Sequence, residues 1–338
     1  MTATDPTVRS AAEILDPDVR RFVDAVNSAY ARIDGFATLA PPDARRAAEI
    51  VRAPWRSGGP TMLSTREALV PADGGALRIR VYDPGPAGVK PALIYSHGGG
   101  WTLFSLDTHD RVMREYAARA GVIVVGTDYP LAPEVKYPVA LNQIRDLVRW
   151  LAVRGEEFGI DSRRLALGGD SAGGNLSLAV ALAMRDAGEG SRIAALLLNY
   201  GAFEPDCSAA AAAEFGGEGF MLTRPELRQF VVNYTRSPAD EKDPLAYPGQ
   251  ARLEGLPPAF LTIAECDVLA EQNVAMFGRL QNAGVPARAV VYRGATHSFL
   301  EAVSIATLAE RAFAEGSAWL RQVLAGGSPE TGLAVAAR

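Results

Sequence analysis

Residues 165–174, which read LALGGDSAGG, hold the most informative turn of this chain. The first of these residues form a short apolar run that predicts a buried strand, and the apolar helical period of residues 172–185 follows at once. Between strand and helix lies a Gly-x-Ser-x-Gly pattern centred on Ser171. A serine on such a sharp turn needs very small neighbours two positions away on either side. A bare GxSxG pattern is common by chance, so the flanking strand and helix are what predict Ser171 as a nucleophile.

Outward from this turn, short apolar or β-branched runs alternate with helical periods between residues 76 and 324. Several runs are apolar on both faces, which predicts a mostly parallel sheet covered by helices on each side. The run 77–82 alternates instead, as an exposed antiparallel edge strand would. The other predicted strands are 92–95, 122–125, 164–167, 194–198, 259–263 and 288–292, and the predicted helices are 111–119, 139–153, 172–185, 271–283 and 307–324. This alternation indicates an open, doubly wound α/β fold.

Two segments, residues 1–60 and 204–250, do not follow the alternation. The first reads as helical, and the second combines an alanine run, a glycine cluster and one helical period. We expect these two segments to form a cap over one end of a core made of residues 61–203 and 251–325. Residues 326–338 begin with Gly, Ser and Pro and are expected to be a loose tail.

The composition excludes several classes of protein. Of 338 residues, 48% are apolar and 22% are charged, with a net charge of −5, as in an ordinary globular chain. No stripe of Lys and Arg suggests nucleic-acid binding. Cys207 and Cys266 form no CxxC or Cys/His cluster, so we expect free thiols in a reducing compartment. Residues 1–21 lack a signal-peptide core, and no apolar run reaches the ~18 residues of a membrane span, which predicts a cytoplasmic protein.

A nucleophilic serine needs a general base, and the chain has three histidines, His97, His109 and His297. In folds with this serine turn the partners follow in the order serine, acid, histidine. Only His297 lies after Ser171, just past the predicted strand 288–292, so His297 is the predicted base.

The acid that orients the base is predicted to be Asp267, which follows the predicted strand 259–263 by a few residues. Glu265 lies closer to that strand and is the main alternative. Glu271 is expected to belong to the next helix.

A glycine run, HGGGW at residues 97–101, comes directly after a predicted strand. Its glycines would let backbone N–H groups approach a reacting carbonyl, and together with the N–H of Ala172 they would form an oxyanion hole. The run lacks the ending of a P-loop and the spacing of a dinucleotide motif, so no nucleotide is predicted. His97 is expected to anchor this loop and His109 to be structural. The two do not pair with an acidic third ligand, so no metal is predicted.

Together, these motifs resemble the hormone-sensitive-lipase-like family of α/β-hydrolases, also called bacterial family IV esterases. The similarity covers roughly residues 81–324. The segments that carry it are 97–101, DYPLAPE at 128–134, 169–173, Asp267 with Leu269, and His297 with Phe299. The resemblance implies an α/β-hydrolase fold with a mostly parallel eight-stranded sheet, helices on both faces and a helical cap. It implies the triad Ser171, Asp267 and His297, with oxyanion N–H groups from Gly98–Gly100, chiefly Gly99 and Gly100, and from Ala172.

The chain departs from the family pattern at three positions. Pro130 stands where Arg is common, Val268 where Pro is usual after the acid, and Ser298 where Gly is usual after the histidine. None of these changes removes a catalytic group.

The resemblance implies a serine carboxylesterase for short- to medium-chain esters that needs no cofactor and, like many members of the family, pairs as a homodimer. The expected substrate-binding residues are Trp101, Asp170, Phe203 and Phe215. An amidase, formamidase or acyltransferase with the same triad remains an alternative. A second alternative is a non-catalytic receptor for small molecules that has the hydrolase fold.

Overall fold

The computed structural model describes residues 10–337. Within them, the strands are β1 (Ser64–Ala72), β2 (Gly75–Asp83), β3 (Lys90–Ser96), β4 (Ile123–Asp128), β5 (Ile160–Asp170), β6 (Ile193–Asn199), β7 (Ala259–Cys266), β8 (Ala287–Thr296) and β9 (Gly332–Ala336). The helices are α1 (Ala11–Ile14), α2 (Pro17–Ala31), α3 (Pro41–Arg56), α4 (Asp110–Ala120), α5 (Val139–Arg154), α6 (Ala172–Asp186), α7 (Ala209–Phe215), α8 (Arg224–Tyr234), α9 (Ala270–Asn282) and α10 (Thr307–Leu324). The predicted strands and helices of the core correspond to β2–β8 and to α4, α5, α6, α9 and α10.

All nine of these strands join one sheet in the order β1-β2-β4-β3-β5-β6-β7-β8-β9. β2 pairs antiparallel with β1 and with β4, and the remaining neighbours are parallel. The predicted α/β-hydrolase architecture is therefore confirmed, but the expected number of eight strands was wrong. β2 is antiparallel as predicted, yet it is not an edge strand, because β1 pairs along its outer side.

The tail after residue 325 does not stay loose, and that prediction was wrong. Its strand β9 lies parallel to β8, with Val290 opposite Ala334. The indole N–H of Trp319 on α10 donates to the carbonyl of Glu330 at 3.1 Å, which holds the start of the tail against the core.

Apolar side chains fill both faces of the sheet. One layer contains residues of α5, α6 and α9, and the other contains residues of α2, α4 and α10. Helix α6 is buried along almost its whole length, as expected of a helix that is apolar on all sides. Since α6 begins directly after β5, this burial fixes the turn between the two elements.

The N-terminal helices pack beside the glycine run. Arg45 on α3 donates to the carbonyls of Thr102 at 2.8 Å and Ala132 at 2.7 Å. Asn27 on α2 donates to the carbonyl of Phe220, within the predicted second cap segment, at 3.4 Å. The predicted cap also includes residues 1–9, which lie outside the described residues.

Both cysteines, Cys207 and Cys266, are buried. Among the helices of residues 10–337, none combines the length and the apolar character that crossing a membrane requires.

Candidate active site

Ser171 lies alone between β5 and α6, with a positive φ of 54°. A non-glycine residue rarely adopts this backbone region, so the surroundings must hold it there. A Cβ atom on Gly169 would lie 2.3 Å from the carbonyl oxygen of Ser96, and one on Gly173 would lie 1.8 Å from it. The motif therefore requires glycine on both sides of the serine because β3 passes directly against the turn.

Three distant parts of the chain meet at this turn. His297 Nε2 lies 2.9 Å from Ser171 Oγ, and His297 Nδ1 lies 2.7 Å from Asp267 Oδ2. All three side chains are buried. With Nδ1–H donated to the carboxylate, a neutral ring presents Nε2 as the acceptor for the serine hydroxyl.

Asp267 is itself held in place, since its second oxygen accepts the N–H of Leu269 at 3.0 Å. The alternative acid, Glu265, instead accepts the N–H of Gly294 at 2.9 Å. Glu271 lies in the first turn of α9. The structure thus brings Asp267, and neither alternative, to the imidazole of His297.

The environment of His297 favours a protonated ring. Burial by itself lowers the pKa of this histidine, but the charge of Asp267 and the hydrogen bond to it outweigh that effect. The charges of Asp170 and Glu301 act in the same direction, so the pKa of His297 lies above its ordinary value. Such a ring can take a proton and return it.

The glycines of residues 98–100 differ in whether they line the cavity at Ser171. Gly99 and Gly100 have positive φ angles and line the same cavity as Ser171, His297 and Ala172. Gly98 does not line that cavity, and its N–H donates to Asp170 Oδ1 at 3.1 Å. Including Gly98 among the oxyanion donors was therefore wrong, because its N–H is already used inside the protein.

Of the expected substrate-binding residues, only Trp101 lines this cavity, and its ring stacks on Tyr234 at 4.3 Å. Phe203 is fully buried against Gly201, and Phe215 packs on Phe220 away from the cavity. Those two predictions were wrong, because both aromatic side chains serve in internal packing and neither reaches the cavity.

The expectation that Asp170 binds substrate was also wrong. Its carboxylate is 4% exposed and does not line the cavity, since it points towards the glycine run and His109. Its position beside Ser171 in the sequence does not bring it to the same face of the turn.

The cavity above Ser171 has a volume of about 90 Å³. Both predicted cap segments contribute to its lining. The first contributes Tyr30, Phe36 and Arg52, and the second contributes Met221, Leu222, Glu226, Leu227 and Phe230. Most of these residues were not predicted, because nothing local in their helices marks the face that turns towards the serine. Among residues 10–337, no group of three or more His, Cys, Asp or Glu side chains could hold a metal ion.

A serine on a strand-to-helix turn, with its histidine and aspartate in that chain order on a mostly parallel sheet, defines an α/β-hydrolase. Comparison with known proteins agrees, because the family model described as alpha/beta hydrolase fold matches residues 93–301. The chain belongs to the hormone-sensitive-lipase-like family of α/β-hydrolases, as its motifs predicted, and it is a carboxylic ester hydrolase.

Its relatives are named esterases. The chain is 36% identical over 242 residues to an ethyl acetate hydrolase of Pseudomonas putida, covering 70% of this chain and 76% of that one. It is 33% identical over 265 residues to an acetyl esterase of Salmonella paratyphi B, covering 78% and 81%.

The chain is also similar to solved structures of esterases. A hyperthermophilic esterase of Pyrobaculum calidifontis matches with a TM-score of 0.84 and 31% identity, covering 91% of this chain and 98% of that one. A thermophilic carboxylesterase cloned from a metagenomic library matches with a TM-score of 0.82 and 32% identity, covering 85% and 99%.

Proposed function

We propose that this protein is a serine carboxylesterase in which Ser171, His297 and Asp267 form the catalytic triad and Gly99, Gly100 and Ala172 supply the oxyanion hole. The observation that carries the proposal is the continuous series of hydrogen-bond contacts from Ser171 Oγ through the His297 ring to Asp267. No cofactor takes part in this mechanism.

In the first half of the reaction, His297 Nε2 accepts the proton of Ser171 while Oγ attacks the carbonyl carbon of the ester. The carbonyl electron pair moves onto oxygen, and the resulting negative charge accepts hydrogen bonds from the N–H groups of Gly99, Gly100 and Ala172. When the carbonyl re-forms, the ester C–O bond breaks, and His297 gives its proton to the leaving alcohol.

The second half repeats these steps with water in place of the serine. His297 accepts a proton from water, which attacks the acyl-enzyme carbonyl, and Ser171 leaves with the proton returned by His297. The Asp267 carboxylate, which contacts Nδ1, stabilises the imidazolium that forms in each half.

A small acyl group suits the cavity. Pockets for drug-sized ligands enclose about 300–1,000 Å³, whereas this cavity has about 90 Å³. Phe230 narrows it at the glycine run, where a Cβ on Gly100 would lie 2.2 Å from the ring. The names of the two relatives, ethyl acetate hydrolase and acetyl esterase, point the same way. Short-chain esters are therefore the proposed substrates.

The test is hydrolysis of p-nitrophenyl acetate, butyrate and octanoate by the wild type and by Ser171→Ala. We expect acetate and butyrate to be preferred, and the variant to lose activity by several orders of magnitude while staying folded. Ser317→Ala is a matched control, since it removes another buried serine hydroxyl, on α10 outside the cavity. We expect this control to keep full activity.

Labelling by a fluorophosphonate separates this proposal from its alternatives. A triad serine reacts with the probe, whereas a receptor without an activated serine does not. Faster turnover of p-nitroanilides than of the matched esters would favour an amidase instead.

A further inference from the structure

Asp170 is a buried carboxylate that the proposed mechanism does not use, although it is adjacent to Ser171. One oxygen, Oδ1, accepts the hydroxyl of Tyr95 at 2.8 Å and the N–H of Gly98 at 3.1 Å. The other, Oδ2, lies 3.2 Å from His109 Nε2. A Cβ on Gly98 would lie 2.4 Å from Oδ2, so the glycine run packs directly against the carboxylate.

Hydrogen bonds fix two successive peptide groups at the start of the run, and Asp170 makes one of these bonds. In the peptide joining His97 to Gly98, the carbonyl accepts the hydroxyl of Tyr129 at 2.9 Å and the N–H donates to Asp170. In the next peptide, the carbonyl of Gly98 lies 2.7 Å from His97 Nδ1. Because a trans peptide is planar, its C=O and N–H point in opposite directions, so fixing the Gly98 carbonyl also fixes the N–H of Gly99.

The charges around Asp170 strengthen its hold on the run. Burial opposes ionisation of Asp170, but the charge of His109 outweighs it and holds the carboxyl pKa below its usual range. Burial likewise opposes a charged His109, but Asp170 outweighs it and raises the histidine pKa, with Glu301 adding to the rise and Arg52 opposing it. Burial and the charge of His109 lower the pKa of His97 to about 3, which keeps that ring neutral. An ionised acceptor binds an N–H about twice as strongly as a neutral one.

We propose that Asp170, paired with His109, is a positioning residue that holds the start of the glycine run and thereby keeps the Gly99 N–H group in the direction of the oxyanion. The inference rests on the proposed function, because it assigns this N–H group to the transition state of ester hydrolysis. It gives the aspartate of the GDSAGG sequence a role in the rate of reaction and none in substrate contact.

The main test is the kinetics of Asp170→Ala with p-nitrophenyl acetate. A misplaced oxyanion donor costs about 10²–10³ in kcat, and we expect a fall of that size with KM changed less than about threefold, since the donors act in the transition state. Affinity for an alkylboronic acid, which mimics the tetrahedral intermediate, should fall by a similar factor. Asp170→Asn keeps an oxygen that can accept from Tyr95 and Gly98, so it should recover at least about tenfold of the lost kcat.

Variants at two buried tyrosines control for the loss of a hydrogen bond from a tyrosine hydroxyl to a carboxylate. Tyr95→Phe removes the hydroxyl that donates to Asp170, and Tyr292→Phe removes one that donates to Glu315 at 2.7 Å. We expect a several-fold lower kcat for Tyr95→Phe and an unchanged kcat for Tyr292→Phe. If Asp170→Ala does not fold, the tyrosine pair decides the question.

Three outcomes would overturn the proposal. If Asp170→Ala has the same kcat as Tyr292→Phe, Asp170 has no positioning role. The same conclusion follows if Asp170→Ala raises only KM. Equal kcat values for the two tyrosine variants also lead to this conclusion. In each case an active wild type that reacts with a fluorophosphonate leaves the proposed function standing, whereas an inactive, unlabelled wild type overturns both.

Discussion

Arg52 and Glu301 form an ion pair inside the protein, and its removal is the sharpest test of how the N-terminal segment, the predicted first part of the cap, is held. Arg52 Nη1 lies 3.2 Å from Glu301 Oε2, and each side chain is 4% exposed. The guanidinium also lies over the ring of Phe104, 4.9 Å from its centre. Arg52 lines the cavity from α3, and Glu301 follows His297 by four residues. The pair therefore ties the N-terminal segment to the loop that carries the proposed base.

The geometry predicts very different costs for single and double replacements. Glu301→Leu leaves a buried guanidinium without its counter-charge, which costs about 3–5 kcal/mol. The double variant Arg52→Met/Glu301→Leu removes both desolvation penalties, and such replacements are often neutral or stabilising by about 1–4 kcal/mol. Losing the contact over Phe104 costs about 0.5–2 kcal/mol, and methionine recovers part of it by packing on the ring. We expect the double variant to lie within about 2 kcal/mol of the wild type.

Urea unfolding followed by tryptophan fluorescence gives the free energy of unfolding of the wild type, Arg52→Met, Glu301→Leu and the double variant. The exposed pair Arg154 and Glu157 is the control, with side chains 53% and 52% exposed. Glu157→Gln should leave the free energy of unfolding essentially unchanged, because water screens an exposed ion pair. A double variant whose loss equals the sum of the two single losses would refute the reasoning, since the charges would then be stabilised independently of each other.

Two further predictions concern the active site. Asp267→Asn should lower kcat about 10⁴-fold. Because the charge of Asp267 raises the pKa of His297 and the base must be neutral, the acid limb of the remaining activity should move to lower pH. Measuring kcat/KM from about pH 5 to pH 9 tests this shift, and an acid limb that does not move contradicts it. Gly173→Ala places a Cβ 1.8 Å from the carbonyl oxygen of Ser96, so we expect circular dichroism to show loss of the folded protein. In the control Gly278→Ala on α9, the new Cβ meets nothing within 4 Å, and the free energy of unfolding should rise by about 0.5–1 kcal/mol.

The sequence was sufficient for the central features because they depend on short-range spacing. The turn at Ser171 requires a strand, two glycines around the serine and a helix within a few residues, and each of these leaves a local pattern. His297 and Asp267 were predicted to lie beside Ser171 because the chain has few histidines and because both follow predicted strands. The carboxyl ends of parallel strands meet at one edge of a sheet, so chain order alone placed these side chains together.

The missed strands show where local patterns fail. β9 is a run of five residues, too short for its alternation to be distinguished from an apolar tail. β1 begins with four polar residues, is mostly exposed and contains Pro71, which disfavours a strand prediction. A usable signal was nevertheless present, since the pair Asp73 and Gly74 is a strong two-residue hairpin turn between two strands.

The electrostatics of the site could not be predicted from spacing at all. Asp170 on β5 and Glu301 beyond β8 both raise the pKa of His297, yet neither belongs to the proposed triad. Asp170 also accepts the N–H of Gly98, so one buried charge acts on the proposed general base and on the glycine run together. A substitution of Asp170 therefore changes both the pKa of His297 and the position of the glycine run, although His297 and the glycine run belong to different sequence motifs. Because both depend on distances between elements far apart in the chain, only the folded structure reveals that they are linked.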